Sequence, residues 1–257
     1  GNPLGMDREL KFAGSTELDN GITVSVMQDT GDSLTYGNSQ IMFGGVAGMF
    51  DIYVGSDSDP VDAIDDITPS AYEEANGSGS GTYTSNDIGD KAGQMGIGFK
   101  YNLPYLGALN YKYYHNADST KNKDNASSGD QNGTTGSAYS ASLKTNMGDL
   151  PIVGSFLDGA TLTAGVAETD HSRVANVDDA FDVTAALTYG IGNFSLGVQK
   201  KVHNEGESAT DALVDAVWYK DTAIGIAYAV NDNLSLSYNT YESQYHANTG
   251  APDQETK

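Results

Sequence analysis

The chain contains no cysteine. That excludes disulfides and thiolate metal sites, but by itself it does not fix a compartment, because a chain facing an oxidising space and one in a reducing cytoplasm can both lack it. Basic side chains are scarce, with 13 Lys and Arg against 35 Asp and Glu, for a net charge of −22. Such a balance argues against nucleic acid or an anionic membrane surface as partner and favours cations near the protein. No stretch approaches the roughly 20 consecutive apolar residues of a membrane helix. Four histidines are present, His115, His171, His203 and His246, and none forms an H-E-x-x-H pair. There is no G-x-S-x-G elbow, P-loop or dinucleotide fingerprint, and Gly77–Gly81 alternates Gly and Ser like a flexible loop tip. The chain therefore reads as a protein without catalytic chemistry.

What is present is alternation. Residues 9–28 show the repeating unit, in which Leu10, Phe12, Leu18, Ile22, Val24 and Val26 share one face while Glu9, Lys11, Ser15, Glu17, Thr23 and Ser25 dominate the other. A period of two marks a strand with one apolar and one polar side. The two strands meet at Asp19-Asn20-Gly21, residues that tolerate the positive φ of a tight hairpin. Five more hairpins follow: 39–44 with 49–54, 95–101 with 109–114, 138–144 with 161–166, 181–189 with 194–201, and 223–229 with 234–241. Their expected turns are 46–48, 102–104, 146–159, 190–193 and 231–233. Between hairpins lie 29–38, 56–90, 115–137, 169–180 and 202–220, rich in Asp, Asn, Ser, Thr and Gly.

Disorder is one consequence of low hydrophobicity with high net charge, but 16 Tyr, 7 Phe and the kept alternation oppose it. Long structureless loops count against a compact soluble domain. Short turns on one edge and long loops on the other are what a transmembrane β-barrel needs. Phe43, Phe50, Phe99, Tyr101, Tyr105, Tyr189, Phe194 and Tyr228 fall near the short turns, as an aromatic girdle at one membrane interface would require. A soluble sheet with β-favouring aromatics reproduces the same placement.

The order of these hairpins resembles the general-diffusion porins of Gram-negative bacteria, especially the alphaproteobacterial type. Leu10-Lys11-Phe12 through Leu18-Asp19-Asn20-Gly21-Ile22-Thr23-Val24 is similar to their second and third strands. Tyr36 through Gly45, continuing to Val54-Gly55, is similar to the next two, and 222–228 with 234–238 to a late hairpin. The resemblance implies an antiparallel transmembrane barrel of about 16 strands, about 12 of them in this chain. It also implies a homotrimer and an integral place in the bacterial outer membrane. Residues 1–257 then form one barrel domain, expected to lack one strand at its start and about three at its end.

Such porins fold one long loop inward to narrow the pore. By order that loop is 56–90, with Asp57, Asp59, Asp62, Asp65, Asp66, Glu73, Glu74, Asp87 and Asp90, and a short helical turn within Pro60–Ile67. Opposite it are expected the wall lysines Lys11, Lys100, Lys112 and Lys144. Carboxylates facing cations across a narrow pore set up a transverse field that orients polar solutes. Arginine clusters are common on the wall in the family, but Arg8 and Arg173 are the only arginines here, so cation preference is expected. Clustered oxygens on Asp57, Asp59 and Asp62 also suit Ca²⁺, but an EF-hand starting at Asp57 would need a glycine where Asp62 stands and a glutamate where Thr68 stands. No metal site and no cofactor is assigned.

Passive diffusion of small hydrophilic solutes and ions is the leading expectation, with outer-membrane lipid as partner and no nucleic acid. One alternative is a soluble or surface β-protein that binds cations or carbohydrate through its acidic loops. Another is a structural barrel whose long loops serve as a receptor.

Overall fold

A computed structural model describes residues 10–30, 36–56, 59–64, 66–69, 95–115, 137–151, 156–169, 179–204, 218–246 and 254–256. The strands are β1 (Leu10–Glu17), β2 (Thr23–Thr30), β3 (Tyr36–Val46), β4 (Phe50–Gly55), β5 (Gly96–Leu103), β6 (Gly107–Tyr114), β7 (Ala138–Asn146), β8 (Ala160–Thr169), β9 (Ala180–Ile191), β10 (Phe194–Asn204), β11 (Trp218–Asn231), β12 (Leu234–His246) and β13 (Gln254–Thr256). They form one antiparallel sheet in which every strand pairs with its neighbours in sequence. Twelve strands have six residues or more, which is the number that alternation predicts, and β13 adds a short rung to β12. No ladder joins β1 to β13 among the described residues.

The structure corrects several boundaries. β5 runs on to Leu103, and its turn is Pro104-Tyr105-Leu106, with Tyr105 at φ 67°. β9 keeps Gly190 and Ile191 in its ladder, which leaves the two-residue turn Gly192-Asn193. Gly192 takes φ 56° there, the positive value that a tight hairpin matched to strand twist requires. At the opposite end the expected loops are shorter than they read, because β2 reaches Thr30, β10 reaches Asn204 and β11 begins at Trp218. These strand ends carry polar residues on both faces, so the alternation fades before the hydrogen-bonded ladder does.

The two faces of the sheet have opposite chemistry. Large apolar side chains lie exposed on the outer face, among them Phe12, Ile41, Ile97, Leu162, Leu187, Val198 and Ile224. The buried side chains of the inner face are largely polar: Lys112, Ser140, Thr163, Asp182, Thr184, Gln199, Lys201, Asp221 and Ser243. This inverts a soluble domain, in which the apolar face is the covered one. Outer-face aromatics pair beside the short turns, Phe50 with Tyr101 at 4.9 Å between ring centroids and Phe194 with Tyr228 at 4.6 Å.

Candidate functional site: a segment folded across the inner face

The described part of the connection after β4 stays on the sheet. Residues 59–64 and 66–69 lie against its inner face, beginning at β6 and β7 and ending over β10 and β11. Asp59 starts the segment and is only 3 % exposed. One carboxylate oxygen accepts the Tyr114 hydroxyl at 2.5 Å. The other accepts the Ser140 hydroxyl at 2.8 Å and the backbone N–H groups of Val61 and Asp62 at 2.8 and 3.1 Å. A carboxylate receiving the first N–H groups of a helical turn acts as its cap. The turn it caps is a 3-10 turn over Asp62–Ile64, shorter than the helical stretch expected within 60–67.

Past the turn, Gln199 on β10 holds the segment with both ends of its amide. Its Nε2 donates to the Ile64 carbonyl at 2.8 Å and to the Thr184 hydroxyl at 3.0 Å. Its Oε1 accepts from the Ile67 N–H at 3.0 Å. Non-strand backbone at this depth requires partners for its polar groups, and the wall supplies them.

Glycines on the wall make the space. A Cβ on Gly165 would stand 2.7 Å from Ile64 Cδ1 and 3.0 Å from Val61 Cγ2. One on Gly225 would stand 2.5 Å from the Pro69 carbonyl oxygen, and one on Gly197 would overlap Pro69 Cδ. Gly96 and Gly98 do the same on β5, where Lys112 and the Tyr53 ring fill their missing side chains. Tyr53 then donates to Asn110 Oδ1 at 2.8 Å.

The sequence-predicted residues occupy different places. Asp59 is tied into the wall, whereas Asp62 and Asp66 are exposed on the segment. Asp57, Asp65, Glu73, Glu74, Asp87 and Asp90 lie outside the described residues, as do Arg8 and Arg173. Lys112 is fully buried, with its ammonium 4.8 Å from the Tyr114 ring centre, and it stands directly across the ladder from Ser140. That register sets Lys112 beside the Asp59 anchor. Lys100 lies 5.4 Å from the Tyr53 ring centre. Lys11 belongs to β1, where it shares an inner-face recess with Ser15, Ser25, Met27 and Gln40. Lys144 is exposed near the short-turn end of β7. Among the described residues no group of three or more His, Asp or Glu side chains is placed to hold a metal ion.

Several inner-face residues carry no motif. Asp182 bonds to His203 Nδ1, and Asp221 accepts the Ser243 hydroxyl at 2.5 Å. Tyr114, Ser140 and Gln199 likewise have no signal in the sequence. The wall glycines do: Gly165, Gly197 and Gly225 stand at inward positions of otherwise regular strands, and such a glycine marks close backbone approach.

No protein-family model and no curated protein matches the chain. Solved structures do. A porin refined at 1.8 Å resolution superposes with a TM-score of 0.58 at 11 % identity, over 92 % of this chain and 81 % of that one. This is the porin fold. The anion-selective porin from Comamonas acidovorans also superposes with a TM-score of 0.58, at 12 % identity over 92 % of this chain and 71 % of that porin. At these identities the likeness is one of fold, and the residues described above are this chain's own version of it.

Proposed function

We propose that the chain is a bacterial outer-membrane porin through which small hydrophilic solutes and ions diffuse passively. The observation that carries this reading is the inverted sheet: its exposed face is apolar, and its covered face holds Lys112, Asp182, Gln199, Lys201 and Asp221. A bilayer is the environment that matches an exposed apolar belt, and a water-filled lumen matches the polar face. The porin fold and residues 59–64 and 66–69 on the inner side support the same reading. A soluble carbohydrate- or cation-binding protein would leave the apolar face in water.

The segment 56–90 is the proposed constriction. Its anchors are Asp59 and Gln199, and its exposed carboxylates are Asp62 and Asp66, with Asp57, Asp65, Glu73 and Glu74 assigned to the same role. The wall cations are Lys11, Lys100, Lys112 and Lys144. Cation preference is supported by the net charge of −22 and by the burial of Lys112 beside the anchored end of the segment. The fold does not set the sign, since the Comamonas porin of the same fold is anion-selective. A homotrimer is the proposed assembly, on the resemblance of the hairpin order to trimeric porins. Single-channel recording in a planar bilayer under a salt gradient tests the reading. Large steps with a cation-selective reversal potential are expected, and folded, inserted protein that gives no steps would overturn it.

A further inference from the structure

Asp51 on β4 and Lys100 on β5 stand directly opposite each other in the ladder, on the inner face. They lie one inner row nearer the short turns than Tyr53, Gly98 and Lys112. Opposite charges so placed ordinarily interact. Here they make no ion pair with each other. Asp51 leans back over β3, where its Oδ1 accepts the Gly45 N–H at 3.0 Å. Lys100 leans toward the long connections, with Nζ 5.4 Å from the Tyr53 ring centre. Both side chains are half-buried.

Two glycines hold the pair open. A Cβ on Gly44 would stand 3.4 Å from Asp51 Oδ1, and one on Gly98 would overlap the Tyr53 ring. The space at Gly44 takes the carboxylate, and the space at Gly98 takes the ring that draws the ammonium aside. Tyr53 is fixed in turn by its bond to Asn110, the partner of Lys100 on β6. The sign of the wall divides at the same place. Glu17 lies inward on β1, on the Asp51 side, and Lys144 inward on β7, on the Lys100 side, and both are exposed. Asp59 and Gln199 hold the inward segment to β6, β7 and β10 instead, so this ladder is a separate place on the wall.

We propose that Asp51 and Lys100 bind a zwitterionic solute that carries its ammonium and carboxylate at opposite ends of a short chain, as an ω-amino acid does. The inference deepens the channel reading above and rests on it. The solute carboxylate takes Lys100 and the solute ammonium takes Asp51, so each wall charge gains the partner that the opened ladder denies it. Glu17 and Lys144 reinforce that orientation. An α-amino acid is the poorer ligand, because its charges are adjacent while the two side chains diverge. A lone cation or anion satisfies one side chain and meets the other as a like charge.

The folded protein in neutral detergent is titrated with 4-aminobutanoate, glycine, butylammonium and butanoate, with binding read by saturation-transfer NMR. Saturable binding of 4-aminobutanoate is expected, tighter than that of the other three and about tenfold weaker in Asp51→Asn and in Lys100→Gln. Lys100→Arg keeps the charge and should keep most of the binding. A singly charged ligand that binds as well as 4-aminobutanoate would overturn the proposal, as would Asp51→Asn and Lys100→Gln binding like the parent. Equal loss in Lys100→Arg and Lys100→Gln would assign the effect to shape rather than charge and overturn it too. Flux into liposomes separates this inference from the channel reading. 4-Aminobutanoate flux should saturate with concentration while that of neutral 4-hydroxybutanamide stays linear. Binding without flux of either solute would support the zwitterion site and overturn the channel; flux of both without binding would keep the channel and overturn the site.

Discussion

Gln199 bridges Ile64 and Ile67, accepting from one backbone group and donating to another, so that a single wall side chain spans the corner of the inward segment. Replacing it with Leu leaves the Ile67 N–H and the Ile64 carbonyl without these partners. Buried unpaired groups cost about 1–3 kcal/mol each, and a segment so weakened leaves the wall more often. Gln199→Leu should therefore increase open-channel current noise while the barrel itself remains folded. Single-channel recording beside circular dichroism checks this, and noise unchanged from the parent would remove the clamp role from Gln199.

Gly197 and Gly225 make a prediction of opposite character, because they act by leaving space. Pro69 occupies the volume that a side chain at either position would take. Both glycines are in regular antiparallel ladder, where alanine or valine fits the strand as well or better. Gly197→Val should thus preserve the sheet while displacing residues near Pro69 from the wall. If displacement opens the lumen, conductance rises and larger sugars pass in liposome swelling; if the segment slides across the pore, both fall. An unaltered exclusion limit and conductance would mean that the segment does not constrict.

Carboxylates of one segment should separate into two functional kinds. Asp59 is buried and accepts four hydrogen bonds, whereas Asp62 and Asp66 are exposed. Asp62→Asn/Asp66→Asn should shift the reversal potential toward anions by reducing the local negative field, with little change in conductance. Asp59→Ala should do the reverse, disturbing conductance through loss of the capped turn and of the Tyr114 contact. Measuring both quantities on both variants decides whether charge and position are divided as the geometry divides them.

Strand positions are legible because each alternating residue reports its face locally. The inner-face partners are not, because they depend on contacts between distant parts of the chain: Asp59 meets Ser140, and Ile67 meets Gln199. A Gln or Ser at a polar-face position looks the same whether it faces water or clamps a segment. Composition alone groups Asp59 with Asp62, yet the hydroxyls of Tyr114 and Ser140 give Asp59 a separate task. The turn at Pro104–Leu106 departs from its expected place for a local reason: Tyr105 adopts a positive φ that is uncommon for a non-glycine residue. The wall glycines are the legible part of the site, since an inward glycine in a regular strand leaves a gap that another part of the chain can fill.

The orientation of the sheet is open to a direct thermodynamic test. Leu187 lies mid-strand on the outer face of β9, 42 % exposed, and its neighbour Ala186 faces inward. In a soluble protein an exposed leucine changed to lysine is close to neutral, or improves solubility. In a bilayer the same change puts an ammonium near the midplane and costs about 2–4 kcal/mol. Urea titration of protein folded into phospholipid vesicles should therefore show Leu187→Lys destabilised by that amount. Lys144→Leu, at an exposed inner-face position near the short turns, should change stability by much less. If Leu187→Lys is neutral in vesicles, or if the parent folds and stays dispersed in plain buffer, the apolar face is not a lipid face. The lumen assignment of the opposite face would then fall with it.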